Sequence, residues 1–186
     1  LERCLGELLR IPWIRKIVLL CSTAPGRLPP RCEAMTVEGP ASGRTWNALV
    51  AGAATPYLLY CRSADGLRVD PGGPGRLLAA AQAGAGIAYA DYAEVLGDHT
   101  REHPLNDYQP GSLRDDFDFG PLVLLSRAAA RRALRKYGEI PAYRWAGWYD
   151  LRLKISADFD LFHLPERLSR VELSPAGGAE AGPALF

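Results

Sequence analysis

A strand buried on both faces leaves a chain few ways to fold, and this sequence carries two clear ones. Arg15–Cys21 (Arg-Lys-Ile-Val-Leu-Leu-Cys) and Pro56–Cys61 (Pro-Tyr-Leu-Leu-Tyr-Cys) run as continuous β-favouring stretches. The lack of polar alternation marks strands covered on both sides. Glu33–Glu38, Ile87–Tyr92, Pro121–Leu125 and Phe159–Leu164 read as further strands. Helical patterns stand between them. Leu5–Leu9 has apolar residues at helical spacing and is stopped by Pro12, and Arg44–Ala54 follows a Ser42 cap. Arg76–Ala83 ends at Gly84 and Gly86, Ala128–Tyr137 follows a Ser126 cap, and Tyr149–Ile155 is helical in pattern. Polar Gly97–Ser112, with Pro104 and Pro110, reads as a long loop or loose hairpin, and the Ala/Gly/Pro-rich end from Ser174 as a disordered tail. Strands alternating with helices predict an α/β sandwich with a largely parallel central sheet, whose ligands sit beyond the carboxyl ends of the strands.

Composition narrows the function. The 186 residues hold one globular domain, assigned here to residues 1–172, and residues 173–186 form the tail. Lys+Arg number 22 against 21 Asp+Glu, a net charge of +1 that argues against a protein built to neutralise nucleic-acid phosphates. Arginine outnumbers lysine 19 to 3, so single arginines carry little signal of their own. The apolar run at Ile17–Cys21 falls far short of the roughly 20 residues of a membrane helix, and no secretory leader is evident. Cys4, Cys21, Cys32 and Cys61 are scattered, which fits free thiols in a reducing cytoplasm better than a zinc site. Residue 1 is Leu rather than Met, as in a piece of a longer chain.

Four segments carry a family resemblance. Arg44-Thr45-Trp46-Asn47 through Tyr60 resembles the donor-side half of family-two glycosyltransferases. Phe119 to Arg127 looks like their strand that starts a helix, and Gly147-Trp148-Tyr149-Asp150-Leu151-Arg152-Leu153-Lys154 like their acceptor-side segment. Phe162-His163-Leu164-Pro165-Glu166-Arg167-Leu168 is similar to the strand-then-proline stretch that follows. The resemblance covers roughly residues 1–172 and implies a GT-A-like three-layer sandwich. It also implies transfer of a sugar from a nucleotide-sugar to a glycan or other hydroxyl acceptor, with inversion. The family's first strand has no counterpart before Leu5, and Arg62-Ser63-Ala64 stands where its metal-holding Asp-x-Asp is expected. A divalent cation, Mg²⁺ or Mn²⁺, is therefore offered one nearby carboxylate, Asp65, where such ions want several oxygens.

The resemblance assigns donor contacts to Arg44, Asn47, Arg62 and Asp65, acceptor-side contacts to Asp115, Asp116 and Trp148, and the catalytic base to Asp150. Each has a plainer reading. Asp65-Gly66 is a common turn pair. Arg62 either neutralises diphosphate oxygens in place of a cation or is simply solvated. Asp115, Asp116 and Asp118 form either a solvated turn or a contact cluster, and Trp145 and Trp148 either stack on a sugar or pack inward. Asp150 removes the acceptor's proton or only favours its helix dipole. His99, His103 and His163 lack ligand spacing, and His163 on a strand reads as a packed histidine. The alternative to an enzyme is a catalytically degenerate GT-A module that serves binding or assembly.

Overall fold

The computed structural model describes residues 1–23, 25–111 and 116–174. The elements run α1 (Glu2–Leu9), β1 (Ile17–Cys21), β2 (Cys32–Thr36), α2 (Gly43–Gly52), β3 (Tyr57–Cys61), β4 (Leu67–Val69) and α3 (Gly73–Gln82). After them come β5 (Ile87–Leu96), β6 (His99–His103), β7 (Leu122–Ser126), α4 (Arg127–Tyr137), α5 (Gly147–Ser156) and β8 (Leu161–Glu172). The main sheet has the order β3-β7-β5-β8-β4, and β6 pairs with β5; β1 and β2 form a separate parallel pair.

The strands that serve two cores at once are β5 and β7, whereas β1, expected to be buried on both faces, is partly exposed in its separate pair with β2. Successive strand side chains point to opposite faces. Ile87 and Tyr89 of β5, with Val123 and Leu125 of β7, join Trp46, Val50, Ala129, Ala133, Leu151 and Ile155 from α2, α4 and α5. Ala88 and Ala90, with Leu122 and Leu124, join Cys4 and Leu8 from α1 and Leu77 and Ala81 from α3. Helices thus cover both faces, and the α/β three-layer sandwich expected from the sequence is present. Fully burying one such aliphatic side chain contributes about 1.5–3 kcal/mol, so the two cores supply most of the stability.

Strand direction is mixed. β7 lies antiparallel between β3 and β5, so β3 and β5 run the same way, and β5 pairs parallel with β8. β4 runs against β8 and β6 against β5. The parallel arrangement holds for β3, β5 and β8 and for the β1–β2 pair. β3, with a sequence suited to burial on both faces, is an edge of the sheet and half-buried at all positions.

Local chemistry sets the boundaries. The Ser42 and Ser126 side chains accept from Thr45 N and Ala129 N, capping α2 and α4 as expected. The polar stretch after Leu96 is a true hairpin: β6 returns along β5 after Gly97, whose φ of 57° suits the tight turn. β8 does not stop at Pro165. Its register against β5 shifts between Ala90 and Tyr92 and then continues to Val95 opposite Glu172. Buried Arg68 on β4 ties this end to α1, donating through Nη1 to Glu7 at 2.7 Å and through Nε to Glu172 at 2.9 Å. The four cysteines are free. Burial pushes the Cys61 thiol up to about 12 and raises Cys4 as well, so both behave as small apolar side chains. Among the described residues no helix is long and apolar enough to cross a membrane.

Candidate functional site

Because β3, β5 and β8 run the same way, their carboxyl ends open on one side of the sheet. Arg62 follows β3 there, held by its backbone N–H donating to Pro121 O at 3.0 Å. The segment 116–121 crosses above it. It turns at Gly120, whose φ is 71° and where a Cβ would lie 3.1 Å from Ala90 O. A side chain at that position would meet both strain and backbone.

Asp118 organises this crossing. Its Oδ1 accepts from Gly120 N at 2.8 Å, its Oδ2 accepts from the Tyr92 hydroxyl at 3.2 Å, and Arg62 Nη1 stands 3.7 Å from Oδ1. Burial, and then the Asp118 charge, push the Tyr92 phenol up to about 12, so it remains a neutral donor. Beside these groups opens a cavity of about 790 Å³, lined by His103, Asn106, Asp107, Gln109, Asp116 and Phe117 among others. Its size suits a ligand of nucleotide or sugar dimensions. His103 is paired with Glu94 at 2.9 Å and stacked on Tyr92 at 4.7 Å.

An aromatic layer supports the floor. Trp148, in the first turn of α5, stacks on Trp46 at 4.7 Å and meets Tyr60 of β3 at 5.2 Å. Its ring is thereby partly buried against the core. Buried Arg152 lies 4.8 Å over Phe119 and donates to Phe117 O at 3.1 Å, placing a full positive charge just beneath the 116–119 crossing. The start of α5 approaches α2 so closely that a Cβ at Gly147 would lie 2.5 Å from the Ser42 backbone. Through the contact of Trp148 with Tyr60, the beginning of α5 meets the carboxyl half of β3.

The remaining residues named from sequence scatter around this centre. Arg44 is exposed in the first turn of α2. Both ends of the Asn47 amide are engaged with Ile140, Nδ2 donating to its carbonyl at 2.9 Å and Oδ1 accepting from its N–H at 3.1 Å. Asp65 is 91% exposed, in a turn closed by its own N–H donating to Ser63 Oγ. Asp116 lines the cavity, whereas Asp115 lies outside the described residues. Asp150 pairs with Lys154, which also donates to Glu139 O at 3.4 Å. At 100° per residue the two lie on the α5 face opposite Arg152. Sequence reasoning gave no role to Tyr92, Asp91, Arg152 or the Asp107–His163 contact. The signal within reach was Asp91-Tyr92 at the end of a predicted strand.

At the end of β3 the described residues do not fit a divalent cation. Arg62 brings a positive charge to the end of β3, Ser63 and Ala64 carry no carboxylate, and Asp65 is turned to solvent. Among the described residues no group of three or more His, Cys, Asp or Glu could hold a metal ion.

No family profile matches the chain, and no curated protein matches it significantly. Among solved structures, 2-C-methyl-D-erythritol 4-phosphate cytidylyltransferase from Thermus thermophilus is similar at a TM-score of 0.46 and 17% identity. The match spans 88% of this chain and 78% of that one. That likeness is too distant to add to the architecture read above.

Proposed function

We propose that the chain is a GT-A-type glycosyltransferase domain, moving a sugar from a nucleotide-sugar to a hydroxyl acceptor with inversion and without a bound metal. The observation that carries this reading is Arg62 at the carboxyl end of β3, on the rim where α/β sheets place their ligands, beside the acidic wall of the cavity. A guanidinium grips two phosphate oxygens at once and so takes over part of a cation's work. In the step itself the acceptor oxygen bonds to the anomeric carbon as that carbon's bond to the diphosphate breaks. The electron pair leaves with the nucleoside diphosphate beside Arg62, and the acceptor proton passes to Asp150. Arg44, Asn47 and Asp65 belong to the donor side on this reading, and Asp115, Asp116 and Trp148 to the acceptor side.

A second reading is a degenerate module that keeps the fold and binds without turnover. The engagement of Asn47 with Ile140 and of Asp150 with Lys154 favours it, since both side chains already have internal partners. Thermal denaturation with a panel of nucleoside diphosphates tests the shared premise. Ligand at 100 times its dissociation constant adds about 2.7 kcal/mol, a rise of about 5–10 °C in Tm for a domain of this size. A uridine or guanosine diphosphate should give that rise. A panel without effect at millimolar concentration removes both readings, and a rise with no sugar transfer selects the module.

A further inference from the structure

One imidazole on the cavity side of the sheet lies between two carboxylates. His163 of β8 has a side chain only 6% exposed, with Nε2 2.8 Å from Asp91 Oδ1 and Nδ1 2.7 Å from Asp107 Oδ1. Asp91 sits on β5 where the β5–β8 register shifts, an irregularity of the kind that re-aims side chains. The same Asp91 oxygen accepts from Leu105 N at 2.7 Å, and the Tyr89 hydroxyl donates to Asn106 O at 2.7 Å. Leu105, Asn106 and Asp107 are thus fastened to the sheet in succession, and all three line the cavity.

Hydrogen-bond chemistry makes one of these fastenings conditional. An ionised carboxylate only accepts, and a neutral imidazole has a single N–H. The ring satisfies both acids only when each nitrogen carries a proton. With one proton gone, a ring lone pair faces a carboxylate and one contact must fail. Asp91 is 18% exposed and also holds Leu105, whereas Asp107 is 82% exposed and is readily taken over by water. Asp107 is the contact that yields. The groups facing His163 are Asp91 and the stacked Tyr89 ring from β5, with Asp107 and Tyr108 from the wall and the Ala80 methyl from α3.

We propose that His163 is a protonation-dependent positioning residue for the cavity wall. Doubly protonated, it fastens Asp107 and closes the wall; singly protonated, it releases Asp107 and the wall loosens. The wall therefore tightens at lower pH and opens at higher pH. This holds whatever ligand the cavity takes, so it stands apart from the sugar-nucleotide reading.

Amide hydrogen exchange on the intact chain from about pH 5.5 to 8.5, corrected for intrinsic exchange, tests it. Protection of Asn106 and Asp107 should fall about tenfold or more across that range, the scale set by a hydrogen bond to a charged group, and that of Leu105, still held by Asp91, should fall less. Amides of Ile87–Ala90 and Leu122–Leu125 should not change. Asp107→Asn supplies a side chain that can donate as well as accept, so its wall should stay protected independently of pH. His163→Gln should show protection that does not vary with pH, while His103→Gln, altering the other cavity imidazole, should keep the parent's pH dependence. Flat protection in the parent chain, or a pH dependence that survives Asp107→Asn or His163→Gln, overturns the proposal. So does its loss in His103→Gln. Asp107 is exposed enough that its variant reports even where His163→Gln fails to fold.

Discussion

Asp150→Asn should lower sugar transfer by about 10²–10⁴-fold, the range expected when a general base is removed. The amide keeps the shape of the carboxylate and cannot take the acceptor's proton. Its effect on nucleotide affinity should be small, because the partner of Asp150 is Lys154, whereas Arg62, which would hold the diphosphate, is paired with Asp118. That split between turnover and binding separates a base from a residue that merely holds α5 together. Replacing Lys154 with Met frees Asp150 of its partner and serves as the companion variant: it should retain most of the transfer that Asp150→Asn loses. Equal turnover in Asp150→Asn and the parent would remove Asp150 from the chemistry, and absence of turnover in both would favour the binding module.

The largest expected loss of stability lies far from that chemistry, at Arg68. Its guanidinium is buried between Glu7 of α1 and Glu172 of β8, and Glu7 also accepts from Val69 N at 3.1 Å. Arg68→Ala leaves Glu7 and Glu172 crowded without the buried cation between them, Glu172 keeping the exposed Arg3 at 3.7 Å, and opens the seam between α1, β4 and β8. Breaking a buried pair costs about 3–5 kcal/mol. Water reaches both carboxylates, whose side chains are 29% and 38% exposed, so the lower end of that range is expected. The hydrogen bond from Arg68, and then its charge, hold the Glu172 carboxyl below its ordinary value of 4.5. A carboxylate with a depressed folded-state value stabilises the fold above its unfolded value and ceases to do so as pH falls through the folded one. Urea denaturation should thus show the parent losing stability from about pH 4.5 downward. Arg68→Ala should be weaker at pH 7 and show a smaller further loss on acidification. A variant as stable as the parent at pH 7 would mean that Arg68 contributes little.

How much of this was legible beforehand depended on where each residue's partners lie in the sequence. Ser42 and Ser126 act on N–H groups three residues away, so their caps could be read directly. The two runs that read as buried on both faces, Arg15–Cys21 and Pro56–Cys61, are instead half of a partly exposed two-stranded pair and an edge strand, and the strands that feed both cores are β5 and β7. Strand direction was hidden: Leu122–Ser126 would suit either orientation, and it pairs antiparallel with both β3 and β5. β6 was masked by its polar sequence, His-Thr-Arg-Glu-His, which an exposed outer strand tolerates. Pro165 suggested a strand end, yet the register shift lets β8 resume beyond it. In the site, Arg62 was identifiable by its place after a strand, and its meeting with Asp118 joins residues more than fifty positions apart. His163 read as a packed histidine because Asp91 and Asp107 lie 72 and 56 residues away. Asn47 matched a donor-side pattern and holds Ile140, 93 residues on, in a contact no local signal announces.

The central claim is a nucleotide site at the end of β3 in which Arg62 stands in place of a metal. Calorimetric titration of the nucleoside diphosphate that stabilises the chain, in chelator and again with Mn²⁺ or Mg²⁺, tests it most directly. Affinity should be nearly the same in both conditions and should fall about tenfold or more in Arg62→Ala, the loss of one charge-assisted contact of about 1.5–3 kcal/mol. An affinity that rises tenfold with metal, about 1.4 kcal/mol, or that is untouched by Arg62→Ala, would contradict it.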